Sequence, residues 1–510
     1  MTDPHTELDT KDRRCARACR FLLLGIVLLA GVIVAYLVLR FQRDSPVDYT
    51  EIEEHFKYGS TGGERESGFP YWVWRALPQV CAEHLPDGAR FPGREYQAFG
   101  FLYEGERDLP IGISKRRHLG MDRVFLNCAL CHTSTLRDTP TGPTRIITGM
   151  PANTINLMDF ERFMFACAKD AKFSPNRVIP EIQRLGGKLD LLDRYLVYPI
   201  AIHLMRDRLL MLEGRFKFML ERPETPAWGP GRVDTFGSAK ALFNFPMEKA
   251  PKRELIGVAD FPSIWLQGPR QGMQLHWDGN NTKVEERNRS AAFGTGATPP
   301  TLDRARIKRI EAWLLTREPP PYPYPIDKDL AAKGAAVYQQ YCAGCHGAGG
   351  RDFSGELVGT VTPIDQIETD RHRLDSYTYD LAVNQNLLYA GTQDPEERFS
   401  RFRKTFGYTN MPLDGLWLRA PYLHNGSVPT LADLLEPREN RPAVFYRGYD
   451  VYDSAKVGFI SNLPEENGRR YFQFDTHLPG NFNTGHEGPR YGTTLPADEK
   501  KELIEYLKTF

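Results

Sequence analysis

Residues 329–346 read DLAAKGAAVYQQYCAGCH, and this stretch decides the fold of the C-terminal half of the chain. The stretch ends in the pattern Cys342-Ala-Gly-Cys345-His346. Cys-x-x-Cys-His is typical of c-type haem attachment, in which the two thiols bond the haem vinyl groups and the histidine ligates the iron. The residues before the pattern predict a helix that leads into it, because apolar side chains recur at helical spacing, at Leu330, Val337, Tyr338 and Tyr341.

The same pattern occurs a second time, 214 positions earlier, as Cys128-Ala-Leu-Cys131-His132. A redox dithiol usually lies in a βαβ unit, and neither motif has that context. A zinc site would have to combine the two motifs into one four-ligand cluster. The sequence therefore predicts two covalently bound haem c groups with His132 and His346 as iron ligands, and zinc is the alternative.

A C-terminal helix completes the predicted haem domain. Pro496 and the acidic residues after it are helix-opening signals, and Leu503, Leu507 and Phe510 form the apolar stripe. A terminal helix packed across the helix that enters the haem motif is the cytochrome c arrangement. We predict a mainly α fold, in which an N-terminal transmembrane helix precedes two cytochrome c-like haem domains.

The predicted domain boundary lies in a stiff Pro-rich run at residues 318–325. The predicted divisions are residues 1–44 for a cytoplasmic tail and transmembrane anchor, 45–318 for the N-terminal haem domain and 319–510 for the C-terminal cytochrome c-like haem domain.

Residues 21–39 carry no charge and would span about 28 Å as a helix, close to the thickness of a bilayer core. The basic residues are more numerous before this segment than after it, which predicts a cytoplasmic N-terminus and haem domains on the periplasmic side of the inner membrane. These flanking residues are Lys11, Arg13, Arg14, Arg17 and Arg20 before it, and Arg40 and Arg43 after it. A cleaved signal peptide is the alternative, although residues 40–43 (RFQR) fit a small-residue cleavage site poorly.

Charge and the remaining cysteines add two expectations. The chain has 65 Lys and Arg residues and 65 Asp and Glu residues, and this zero net charge argues against a nucleic-acid partner. Cys81 and Cys167 fall on the oxidising side of the predicted membrane, where they form either a disulfide or two separate buried thiols.

Beyond the two haem motifs, the chain resembles the di-haem cytochrome c peroxidase superfamily from about residue 70 to residue 510. It is most similar to the di-haem rubber-oxygenase-like branch, above all in the block PYLHNGSVPTL at residues 421–431. The resemblance implies two helical haem domains that face each other. The other segments that carry it are GMPAN at 149–153, GPGRVD at 229–234, DFPSIW at 260–265, WDGNN at 277–281 and PLDGLW at 412–417.

The resemblance also suggests the remaining haem contacts. His486 is the expected sixth ligand of the second haem, with Met411 as the alternative, and a His/His pair gives a lower potential than a Met ligand. Near the first haem, His276, Trp277 and Phe293 are the candidate distal or catalytic residues. His424 is expected to be structural. Trp277 is either a core residue or an aid to electron transfer between the haems.

The sequence predicts a membrane-anchored di-haem c-type cytochrome that acts in electron transfer as a peroxidase-like oxidoreductase. Its expected partners are an electron-donor protein or a quinol-linked chain, and a small oxidant such as peroxide or dioxygen. Two alternatives remain open: a haem-dependent dioxygenase of an apolar substrate, and a non-catalytic electron carrier. A distal acid or base, which a peroxidase needs, has no assignment from the sequence.

Overall fold

The computed structural model describes residues 4–86, 96–392 and 394–510. A π-helical turn, Asp193–Val197, runs directly into the long helix Tyr198–Leu220. In chain order the α-helices are α1 (Pro4–Gln42), α2 (Ile52–Tyr58), α3 (Gly63–Glu66), α4 (Tyr71–Val80), α5 (Leu157–Lys169), α6 (Pro175–Arg184), α7 (Tyr198–Leu220), α8 (Thr235–Leu242), α9 (Val284–Gly294), α10 (Arg304–Leu314), α11 (Lys328–Tyr341), α12 (Ala343–His346), α13 (Ile364–Ile367), α14 (His372–Ser376), α15 (Tyr379–Leu387), α16 (Leu431–Leu434) and α17 (Ala497–Leu507).

The strands are short and pair antiparallel. One sheet has four strands in the order β1-β3-β4-β2, and the other sheets are two-stranded. The strands are β1 (Ser45–Pro46), β2 (Phe69–Pro70), β3 (Ile113–His118), β4 (Met121–Leu126), β5 (Thr133–Leu136), β6 (Arg145–Thr148), β7 (Arg232–Asp234), β8 (Val258–Asp260), β9 (Val361–Pro363), β10 (Gly407–Thr409), β11 (Val444–Arg447), β12 (Tyr452–Asp453), β13 (Gly458–Phe459), β14 (Glu465–Glu466), β15 (Arg469–Arg470) and β16 (Phe472–Asp475).

The mainly helical expectation therefore holds only in part, since helices make up 44% of the chain among many small sheets. The cytochrome c arrangement is present around the second motif, where α11 enters Cys342 and α17 packs across α11. Around the first motif the arrangement differs. Strand β4 leads into a short turn at Cys128, and β5 follows His132. The predicted domain boundary at residues 318 and 319 stays a prediction.

Two large apolar cores hold the fold together. The first is built from α4, α5, α6 and α7 and from the loop aromatics between them. Inside it, Cys81 and Cys167 form a disulfide with their Cα atoms 5.6 Å apart. The second core surrounds α11 and α17, and it also takes in Leu136, Met150 and Trp265 from the first half of the chain. The segments around the two haem motifs are thus packed together through shared side chains.

Helix α1 stands apart from both cores. Its stretch Cys15–Gln42 is long and apolar enough to cross a membrane, with a mean hydropathy of 3.0 and no buried share in that window. A membrane anchor and a signal sequence both fit this helix.

Candidate functional site

The first motif is held by a capped turn and one histidine hydrogen bond. The side chain of Asn127 accepts a hydrogen bond from the Ala129 amide at 3.0 Å and donates to the carbonyl of Gly59 at 3.0 Å. His132 Nδ1 lies 2.9 Å from the carbonyl oxygen of Pro262, and because a carbonyl only accepts, Nδ1 carries the proton. This bond leaves Nε2 as the unprotonated ring nitrogen, which is the form that ligates iron.

The histidine of the second motif is held by the same kind of hydrogen bond, in a different structural setting. His346 Nδ1 donates to the carbonyl oxygen of Met411 at 2.7 Å. The hydroxyl of Tyr338, on α11, donates to the carbonyl of Gly347 at 2.8 Å and fixes the turn after the motif. Burial lowers the pKa of His346, and burial lowers the pKa of His132 to about 4, so both imidazoles are neutral. Each motif therefore presents a neutral histidine with Nε2 available.

A third histidine lies opposite His346. The ring centres of His346 and His486 are 6.3 Å apart, with the planes inclined by 42°. A metal–imidazole bond of about 2.0 Å, plus about 1.1 Å from nitrogen to ring centre, gives roughly 6.2 Å for two histidines on one iron. Burial lowers the pKa of His486 to about 3. The residues present thus fit a haem with two axial histidines.

The position of Met411 differs from that of His486. Its backbone carbonyl receives the Nδ1 proton of His346, on the side of the ring away from Nε2. His486 Nδ1 is buried without a hydrogen-bond partner, and the backbone nitrogen of His486 donates to the carbonyl of Ile367 at 2.9 Å. The geometry therefore favours His486 over Met411 at this haem.

Among the described residues, no histidine ring is in contact range of His132 in the way that His486 is of His346. Among the described residues, the aromatic ring in contact with that of His132 is Phe261, at 6.5 Å between ring centres. His276 adopts a positive φ of 65° and holds its Nδ1 2.6 Å from Asn280 Oδ1, while its ring stacks on Phe402 at 6.4 Å. His276 is thus placed by a loop contact and by an aromatic neighbour.

Arg287, on α9, links the environments of His132 and His276. Burial first, and then the charge of Arg287, lowers the pKa of both histidines, that of His276 to about 3. Burial also lowers the pKa of Arg287 itself to about 10. The sequence does not single out this arginine, because no local pattern separates it from other charges on a helix surface.

Phe293 lies in a small aromatic cluster near His276. Its ring is 5.7 Å from that of Tyr389, and the cluster also contains Phe399 and Phe402. Since Phe402 stacks on His276, the cluster forms an apolar wall beside that histidine. Sequence reasoning selected His276 and Phe293 separately, and the structure brings them to one cluster.

Trp277 connects the two segments whose backbone carbonyls hold His132 and His346. Its indole Nε1 donates to the carbonyl of Asp260 at 2.8 Å, and its own carbonyl accepts from the Thr409 amide at 2.8 Å. Asp260 is two residues before Pro262, which supports His132, and Thr409 is two residues before Met411, which supports His346. A single tryptophan thus joins the two short segments that hold the motif histidines.

The PYLHNGSVPTL block holds Asp260 in place. The Asp260 amide donates to the carbonyl of His424 at 2.9 Å, and both carboxylate oxygens of Asp260 accept from Arg447 at 2.9 Å. Gly426, with a positive φ of 62°, lies so close that a Cβ would come within 2.3 Å of both carboxylate oxygens. His424 itself is buried and stacks on Tyr408 with 4.1 Å between ring centres. The block therefore supports the Trp277 connection.

The zinc alternative finds no support in this geometry. Within the described part of the chain, the group of three potential metal-binding side chains is Glu83, His84 and Asp170, far in sequence from either motif. The motif cysteines are partly buried, and desolvation raises the pKa of Cys128 to about 11 and those of Cys131 and Cys342 to about 12.

Comparison with known proteins agrees with a haem-attachment site at the second motif. Residues 329–377, which include the second motif, match the family model of the cbb3-type cytochrome c oxidase subunit III. Residues 407–446, which include Met411 and the PYLHNGSVPTL block, match the model of RoxA-like, cytochrome c-like proteins. These segments are cytochrome c-like. They imply covalently bound haem c and indicate a haem electron-transfer or oxidoreductase role.

Two relatives from Sinorhizobium fredii (strain NBRC 101917 / NGR234) are also similar to the chain. The uncharacterized protein y4iM is 32% identical over 294 residues, which cover 49% of this chain and 64% of that protein. The chain thus spans less than two thirds of this relative. The uncharacterized protein y4iJ is 28% identical over 619 aligned positions, which cover 97% of this chain and all of that protein. The likeness to y4iJ therefore extends over nearly the whole chain.

Proposed function

We propose that this protein is a membrane-anchored di-haem c-type cytochrome and a peroxidase-like oxidoreductase. One haem would be held by Cys128, Cys131 and His132, and the other by Cys342, Cys345, His346 and His486. The observation that carries the proposal is the asymmetry of the two histidines, since His346 faces His486 and His132 faces no second histidine among the described residues. We infer that the first site binds the oxidant and that the second site transfers electrons.

When bound, haem c would supply one-electron transfer, and at a site that a small oxidant can reach it would also supply the reduction of that oxidant. Residues of the protein would determine which site transfers electrons and which site binds the oxidant. The carbonyls of Pro262 and Met411 hold the two histidines as the tautomer with a free Nε2. His486 lies opposite His346 at the second site, whereas the first site is influenced by the charge of Arg287, which also acts on His276 beside Phe402.

Trp277 supports communication between the two sites. Its hydrogen bonds to Asp260 and Thr409 keep the indole in a fixed position between the segments that carry Pro262 and Met411. We infer that this fixed aromatic side chain shortens the path for electrons between the sites. The electron source would be a donor protein or a quinol-linked chain, on the periplasmic side of the inner membrane.

A dioxygenase of an apolar substrate is the second candidate function. The observation that favours it is the RoxA-like match over residues 407–446, together with the apolar cluster of Phe293, Tyr389 and Phe402 near His276. The match covers the surroundings of the second motif, so it says little about the reaction at the first. A non-catalytic carrier is less favoured, because it would need a second strong ligand opposite His132.

Absorption and EPR spectra of the purified protein, oxidised and reduced, test the proposal. We expect one low-spin haem that ignores carbon monoxide, and one high-spin haem that binds it and reacts with peroxide. Two low-spin haems that ignore both ligands would support a carrier or a peroxidase that needs reductive activation. Peroxide consumption with a reduced donor, compared with dioxygen uptake on an apolar polyene, separates the two enzyme hypotheses.

A further inference from the structure

Exposed apolar side chains are concentrated near the point where α1 leaves the rest of the molecule. Outside α1, the described residues include fifteen large hydrophobic side chains that are exposed, and seven of them lie on two neighbouring segments. One is Leu119, in the turn between β3 and β4. The other six form what we call the apolar strip, on the π-turn and α7: Leu191, Tyr195, Leu196, Ile200, Leu204 and Met211.

The end of α1 is attached at the start of this strip. The guanidinium of Arg40 donates to Asp190 at 2.7 Å and also to Asp193, although the side chain of Arg40 is only 6% exposed. The ring of Phe41 lies against Gly120, the neighbour of Leu119 in its turn. Leu119 and Leu191 therefore stand beside the last turn of the proposed membrane-spanning helix.

The strip continues away from this attachment on one face of a helix. Ile200, Leu204 and Met211 are four and seven residues apart, which places them on the same side of α7, and Leu196 lies four residues before Ile200 on the π-turn. The opposite side of α7 faces the first apolar core through Ile202, Met205 and Leu209. A soluble surface rarely keeps so many large apolar side chains in one row without a partner.

The composition of the strip matches an interfacial helix. Tyr195, whose amphipathic ring suits the level of lipid headgroups, lies with its ring centre 5.5 Å from the guanidinium carbon of Arg194. Lys188 is also exposed beside the strip. Apolar side chains with arginine and lysine beside them are what a helix on an anionic membrane surface presents, and the neighbouring Asp190 and Asp193 are paired with Arg40.

We propose that the apolar strip lies on the surface of the same bilayer that α1 crosses, so that the haem-bearing part of the chain is held against the membrane at two points. This rests on α1 being retained as an anchor. The strip would bind phospholipid acyl chains and headgroups directly, and it would fix the orientation of the first haem site relative to the membrane.

Lipid photo-crosslinking of the full-length protein tests this surface. The photoreactive residue p-benzoylphenylalanine replaces Leu204, which is 64% exposed on α7, or Leu387, which is 60% exposed on α15 and serves as the matched control. The protein is reconstituted in nanodiscs of phosphatidylethanolamine and phosphatidylglycerol, irradiated and analysed by mass spectrometry. Unchanged haem absorption shows that each variant has folded.

We expect several-fold more lipid adduct at position 204 than at position 387. Equal yields at the two positions would overturn the proposal, and so would adducts to a second copy of the chain, which would make the strip a self-association surface. If a variant does not fold, trypsin cleavage of the wild-type protein after Arg194 replaces it. We expect protection in nanodiscs that detergent removes, and equal cleavage in both media would count against membrane contact.

Removal of α1 by cleavage can be distinguished from a failure of the apolar strip to contact the membrane. An intact mass that lacks residues 21–39 would show that α1 is removed. In that case, flotation of the processed protein with vesicles of the same lipids supports the strip as a membrane surface, and absence from the floating fraction overturns it.

Discussion

The segment around Cys128 and the segment around Cys342 carry the same motif, but different secondary structure surrounds it. At Cys342, α11 enters the motif, α17 crosses α11, and His486 stands opposite His346 at 6.3 Å. At Cys128, β4 enters a capped turn, and the ring contact of His132 is with Phe261. The Cys-x-x-Cys-His pattern therefore specifies where a haem would be attached. The opposite side of each site is formed by segments that are distant in the sequence. Under the proposed function, that side would separate the electron-transfer site from the site that reacts with the oxidant.

The largest expected effect comes from removing one attachment site at a time. Replacing Cys128 and Cys131 together by alanine should halve the covalent haem content and remove the carbon monoxide-binding signal, because the proposed open site is lost. Replacing Cys342 and Cys345 together should instead remove the low-spin signal. Intact mass and EPR measure both. If the Cys128 and Cys131 variant kept the carbon monoxide-binding signal, the assignment of the two roles would be reversed.

The next effect tests the histidine opposite His346. His486→Ala should open the second site, so that both haems bind carbon monoxide. His486→Met should raise the midpoint potential of that haem by on the order of 100 mV or more. Met411→Leu is the control, since the hydrogen bond to His346 uses the backbone carbonyl of Met411, which this substitution keeps. A low-spin signal that survives in His486→Ala and is lost in Met411→Leu would make Met411 the ligand.

The sequence predicts the local features of these sites well. The helix before Cys342, the C-terminal helix, the apolar N-terminal helix and both motifs follow from periodicity and spacing within about twenty residues. The strand-flanked turn at Cys128 was not predicted, because β4 and β5 are only six and four residues long and gain their pairing from distant neighbours. The placement of Trp277 between Asp260 and Thr409, and that of Arg287, likewise depends on contacts that no local pattern encodes.

The region around Cys128 and the region around Cys342 are also stabilised differently. The disulfide between Cys81 and Cys167 lies in the first apolar core, against which Cys131 packs. Replacing Cys81 and Cys167 by alanine should lower the free energy of unfolding by up to about 4 kcal/mol, because the bridge closes a loop with a sequence separation of 86. Chemical denaturation followed at the haem bands measures this loss. We expect the low-spin spectrum of the second site to be unchanged under native conditions. Equal stability with and without dithiothreitol in the wild-type protein would argue against a stabilising bridge.

The second region depends instead on a close helix crossing. A Cβ on Gly334 would lie 1.9 Å from the backbone carbonyl oxygen of Glu502 on α17, so the two helices meet where glycine has no side chain. Gly334→Ala should destabilise the protein by about 2–3 kcal/mol through overpacking. Gly214→Ala, on α7 with nothing within 4 Å of its Cβ, is the matched control and should be neutral or stabilising by up to about 1 kcal/mol. Urea unfolding compares them, and equal effects would refute the close crossing.

The smallest expected effect concerns a carboxyl group near the first site. Burial, followed by the charge of Glu285, raises the pKa of Glu311 to about 7, and the charge of Glu311 in turn acts on Cys128. Because the folded protein holds this proton more tightly than the unfolded chain, the stabilisation is complete below about pH 4.5 and is lost as the pH rises towards 7.

The melting temperature of the wild-type protein should therefore fall by a few degrees between pH 5 and pH 8 relative to that of Glu311→Gln, whose neutral side chain does not titrate. Glu221→Gln, at an exposed position, is the control and should keep the pH dependence of the wild type. If Glu311→Gln keeps the full dependence, the raised pKa of Glu311 is wrong. If the dependence disappears, Glu311 is a titrating group whose charge acts on Cys128 at the first motif.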